Sequence, residues 1–108
     1  MKDIAYFNAS NMASMAKASR LTTRQIEGFI SWRIAIKAER AVLADLEERS
    51  ALEMLECNNK EYHHYCECAN LVRNRIYEME RVCSDVYLDG RDYDWVNAKI
   101  EKALGVGA

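Results

Sequence analysis

The cleanest pattern of apolar positions lies in the second half of the chain. Tyr62, Tyr65, Ala69, Val72, Ile76, Met79, Cys83 and Val86 recur at alternating intervals of three and four. That is the heptad repeat of a left-handed helical seam, held for more than three heptads. Glu67, Arg73, Arg75, Glu78, Glu80 and Arg81 fill positions between them and read as solvated faces or inter-helix pairs. Such a seam can be buried inside one chain or between chains.

A longer pattern precedes it and is apolar on two sides. At about 100° per residue, Phe29, Trp32, Ile36, Leu43, Leu46 and Met54 form one stripe. Ile26, Ile30, Ile34, Ala41, Leu52 and Leu55 form a second on roughly the opposite face, interrupted by Asp45 and Glu48. A helix with two apolar stripes needs cover on both sides. It is central in a bundle or shared in an oligomer. Thr22 and Gln25 have capping-box spacing, which starts this helix. Nothing breaks it before about Cys57. Gly28 is its weak point, at about 1 kcal/mol against Ala. Such a helix is about 50 Å long, so the molecule is expected to be elongated or wrapped by a partner.

Asn58-Asn59 interrupts the helical propensity, and Glu61 repeats the capping-box spacing from Asn58. The hairpin turn is placed there, with one uninterrupted helix as the alternative. Asn8 or Ser10 can cap a short helix with Ala9, Met12, Ala13 and Ala16 on one face. Asp92 or Asp94 can cap another carrying Tyr93, Trp95, Val96, Ile100 and Leu104. Gly90 suits a left-handed helix end. Ile4, Tyr6 and Phe7 make a short apolar arm, and Gly105-Val106-Gly107-Ala108 a tail. The prediction is one all-α domain over 1–108. It has a long antiparallel helical hairpin, about 22–57 and 60–88, with short flanking helices at 9–19 and 92–104, coiled-coil-like packing and a dimeric bundle. The expected core is Phe29, Trp32, Ile36, Leu43, Leu46, Val72, Ile76, Met79 and Val86.

Composition agrees with this pattern. The 108 residues include no proline, half are hydrophobic and 30% charged, a mixture that folds and favours helix. No apolar run is long enough to span a bilayer, and Met1-Lys2-Asp3-Ile4 does not read as a signal peptide. The expected location is the cytoplasm, where thiols stay reduced. Charge splits along the chain: residues 1–42 carry seven basic against three acidic side chains, and the remainder eight against fourteen. The two halves can attract one another, within or between chains, or the basic half can meet an acidic partner.

Candidate chemistry gathers at the turn, where three of four cysteines and both histidines lie within Cys57–Cys68. Zinc wants four converging donors. Cys66 and Cys68 point about 200° apart on a helix, so the workable ligand set is Cys57, His64 and Cys68, with a fourth donor from a symmetry mate or elsewhere. The plainer reading is reduced cysteines filling helical positions. No catalytic residue is assigned. The chain has no Gly-rich phosphate loop, and Glu47-Glu48 and Glu78-x-Glu80 lack the paired spacing that holds magnesium on helices. No cofactor is expected. Arg20 and Arg24 are the candidates for a nucleic-acid contact. Arg33, Lys37 and Arg40 are the candidates for contact with a protein partner. The expected function is a non-enzymatic protein-binding module, an adaptor or inhibitor of the kind mobile elements carry as accessory proteins. It acts as a homodimer on a second, unidentified protein. A nucleic-acid-binding regulator and a small zinc-binding helical protein are the alternatives.

Overall fold

A computed structural model describes residues 9–105, with side chains from Asn11. Among the described residues there are four helices: α1 Ala9–Ser19, α2 Thr23–Leu55, α3 Asn59–Tyr87 and α4 Tyr93–Ala103. The all-α hairpin and every expected boundary hold to within two residues. No helix among the described residues is long and apolar enough to cross a membrane. The arm of Ile4, Tyr6 and Phe7 lies outside the described residues, as do Asn8 and Val106-Gly107-Ala108.

Local chemistry sets these boundaries. The Thr22 N–H donates to Gln25 Oε1 at 2.9 Å, and the Gln25 N–H donates to Thr22 Oγ1 at 3.2 Å, which is the reciprocal capping box. Leu21 and Ile26 flank it at hydrophobic-staple spacing, and both are buried. Asp92 caps α4 by accepting from the Trp95 N–H at 3.0 Å. Ser10 falls inside α1 and is therefore not its N-cap. At the hairpin turn, Cys57 N–H donates to Met54 O at 3.1 Å and Asn58 N–H to Glu53 O at 2.9 Å. Those two bonds define a Schellman end with Cys57 at the left-handed position, φ 60°. The Asn58 amide turns back to donate to Glu53 at 2.7 Å, where a forward cap on α3 was expected.

Contacts group the described chain into two compact units. Unit 1 takes residues up to Ile34 together with those from Glu80 onward. Its core draws Met12, Met15 and Ser19 from α1, Ile26, Phe29 and Ile30 from α2, Cys83 from α3, and Tyr93, Val96 and Ile100 from α4. The Phe29 and Tyr93 rings meet at 5.4 Å. Here α2 buries Phe29 from one stripe and Ile26 and Ile30 from the other, because the short helices supply the second cover, while Trp32 is half-buried and Ile34 is exposed. Of the expected α1 face, Met12 is buried, Ala16 half-buried and Ala13 exposed, and the buried face continues instead through Met15 and Ser19. Val86 is corrected as well: it is 61% exposed, and Leu88 is fully buried. A straight helix drifts about 20° per heptad, and three heptads carry the inward position from Val86 to Tyr87. The Tyr87 ring lies over Gly28, where an added Cβ would collide with it.

Unit 2 is the hairpin of Ala35–Met79. Ile36, Ala69, Val72 and Ile76 are buried, while Leu43, Leu46 and Met79 are half-buried. Met54, expected in the core stripe, is 63% exposed. Inward positions toward the tip are polar: Ser50 is buried with its hydroxyl 3.2 Å from the Cys66 thiol. Two inter-helix ion pairs flank the seam, Glu39–Arg75 at 3.1 Å and Glu47–Arg73 at 3.3 Å.

Candidate functional site

The two ion pairs label the two flanks of the unit 2 hairpin. Helical spacing of three, four and seven then assigns neighbours to each flank. On the Glu39–Arg75 flank, Val42 and Leu46 follow Glu39 on α2. Leu71, Cys68 and His64 precede Arg75 on α3. Val42 is 48% and Leu71 67% exposed, so large apolar side chains stand in water beside the ion pair. On the Glu47–Arg73 flank, Arg40 lies two turns before Glu47, and Tyr77, 70% exposed, one turn after Arg73. Lys37 is one turn before Arg40, and both cations are exposed. The first flank is apolar and carries soft donors; the second is basic and aromatic.

The sequence candidates separate on this frame. Arg33 belongs to unit 1, whereas Lys37 and Arg40 belong to unit 2. Its Nε donates to Asn97 Oδ1 at 2.9 Å and its Nη2 to Glu101 Oε1 at 3.0 Å. Only 12% of the Arg33 side chain is exposed. It holds α4 on α2. Arg20 is at the left-handed end of α1, φ 57°, and Arg24 lines a shallow unit 1 cleft of about 280 Å³ with Glu27, Gly28, Ser31, Trp32 and Tyr87. Trp32, expected in the core, is half-buried at this cleft.

At the turn, His64 Nε2 lies 3.8 Å from Cys68 Sγ. Cys57 is exposed, and its left-handed cap role does not bring it to this pair. Among the described residues no three His, Cys, Asp or Glu side chains are grouped to hold a metal ion. Cys66 faces elsewhere, toward Ser50 and Tyr62. The hydrogen bond to Cys66 is the main cause that raises the Tyr62 phenol above its ordinary range. The hydrogen bond to Asp45, at 2.9 Å, is the main cause that raises the Arg49 guanidinium. Burial, helped by Glu80, pushes the Cys83 thiol up to about 12, the direction that silences a nucleophile.

Sequence reasoning missed Arg91. Its guanidinium donates to Ser19 O at 2.6 Å and Leu88 O at 3.3 Å, so one side chain satisfies carbonyls at the ends of α1 and α3. The Ser84 hydroxyl in turn donates to Arg91 O. A cation just past a helix end was the available signal. No protein-family model, no curated protein and no solved structure matches the chain.

Proposed function

We propose that the chain is a non-enzymatic protein-binding module, an adaptor or inhibitor that works as a helical dimer. The observation that carries this reading is the Glu39–Arg75 flank of unit 2. A two-helix hairpin of residues 35–79 is near the size at which a domain buries too little surface to stand alone. This one leaves Val42 and Leu71 in water on one flank. Exposed apolar side chains rimmed by charges mark an association surface, and a second copy is the simplest complement because a two-fold axis matches the flank to itself.

The opposite flank then faces away from that axis in both copies. Lys37 and Arg40 with the exposed Tyr77 suit an acidic surface that offers an apolar anchor, since aromatic and cationic side chains dominate interface energetics. Binding there occludes or bridges the partner, with no chemical step. Static light scattering over a concentration series tests the reading. The expected mass at the upper concentrations is twice the 12.5 kDa chain mass. A single-chain mass throughout contradicts it.

A further inference from the structure

We infer that His64 and Cys68 form half of a zinc-class metal site that two copies of the chain complete across a two-fold axis. This rests on the dimer reading above and adds a ligand to it. The pair occupies i and i+4 positions of α3, with His64 exposed and Cys68 half-buried, so both side chains leave one face. Their donor atoms stand 3.8 Å apart. A tetrahedral zinc ion with bonds of about 2.3 Å to sulfur and 2.0 Å to nitrogen holds such donors roughly 3.5 Å apart. The two side chains are therefore already set at close to chelating separation, and small rotations close the difference.

Two donors do not complete the tetrahedron that a soft N/S site prefers. All the chain's cysteines and histidines lie among the described residues, and among the described residues no third ligand is grouped with the pair. Cys83 is buried in unit 1, and Cys66 is engaged with Ser50. The same pair from a second copy supplies what is missing. Leu71 lies on the same face, three residues past Cys68, and is 67% exposed. Bringing two such faces together buries Leu71 around the metal and sets His₂Cys₂ coordination on the symmetry axis. Each Cys68 thiol loses its proton to solvent as it binds, and His64 binds neutral.

Titrating the reduced full-length chain with Co(II), then displacing it with Zn(II), tests this. Absorption reports the ligands and light scattering the mass. The expected result is one metal per two chains, a thiolate-to-cobalt charge-transfer band, and tetrahedral d–d bands. Cys68→Ser abolishes the charge-transfer band, and His64→Ala weakens binding at least tenfold. Cys57→Ser and Cys66→Ser leave both unchanged. Far-ultraviolet circular dichroism separates loss of ligand from loss of fold. A dimer that takes up no Co(II) at tens of micromolar overturns the metal site and leaves the dimer standing. A chain that remains monomeric with and without metal overturns both. Loss of binding in Cys57→Ser overturns the assigned ligand pair.

Discussion

Gly28 shows how a missing side chain makes room for a ring, that of Tyr87. From the sequence, Gly28 is only a weak point in a long helix, and Gly28→Ala is worth about 1 kcal/mol of added propensity. In the fold, the Tyr87 ring occupies the space a Cβ needs. Overpacking costs about 1–3 kcal/mol, so Gly28→Ala is expected to lower the urea midpoint. In a Tyr87→Ala background the same change should become neutral or stabilising. A Gly28→Ala midpoint above wild type would show that the ring simply moves aside. Cys83 makes a second prediction, on pH. Its thiol is raised from an ordinary 9.0 to about 12 by burial and Glu80. Below pH 9 both folded and unfolded chains hold the proton, and stability from this group is fully present. Between about pH 9 and 12 the unfolded chain ionises first, so stability falls as pH rises. Cys83→Ala should flatten that part of the stability–pH curve relative to wild type, as followed by thermal melts. Identical slopes for the two chains would refute the assignment.

At the scale of elements, helix ends decide how much could be anticipated. The Thr22–Gln25 box and the Asp92 cap are local devices, complete within four residues; the box was legible, and the cap was legible as a choice between Asp92 and Asp94. The end of α2 was legible in position and not in mechanism, because the left-handed site carries Cys57 where Gly or Asn is usual. A side chain there costs about 1–2 kcal/mol, so Cys57→Gly should raise stability by up to about 1 kcal/mol in urea titrations. A loss of stability would mean that the thiol makes a contact that offsets the strain. Other features depended on partners far along the chain. A sequence shows Arg33 as a solvated cation, yet its partners are Asn97 and Glu101 on α4. The heptad pointed to Val86, and helical drift delivered Tyr87. Arg91 joins the ends of α1 and α3 through two carbonyls. Replacing it with lysine keeps the charge and loses the planar fork. Arg91→Lys should cost about 1–3 kcal/mol and speed exchange of amides at both helix ends. Unchanged exchange at both ends would show that the contacts carry little.

At the scale of the molecule, each unit solves the two-stripe problem of α2 differently. In unit 1, Ile26 and Ile30 are fully buried along with Phe29, because α1 and α4 are at hand. Unit 2 consists of two helices, and among the described residues Val42, Leu52, Leu55 and Leu71 remain exposed. The candidate surface was not legible: Val42 lies outside both apolar stripes of α2 and Leu71 outside the α3 seam, whereas the two-stripe pattern marked Leu52 and Leu55. Its flanks were not legible, since they depend on which acidic residue each arginine of α3 meets. The i, i+4 pairing of His64 with Cys68 was visible in the spacing. The exclusion of Cys57 was not, because it follows from the left-handed turn. Sedimentation velocity on three chains tests the central claim most directly: wild type, Val42→Glu/Leu71→Glu and Tyr77→Glu. Wild type and Tyr77→Glu are predicted to sediment as dimers, and the double variant as a monomer with unchanged helix content. A wild-type monomer at every concentration, or a dimer lost through Tyr77→Glu and kept in the double variant, would contradict the account.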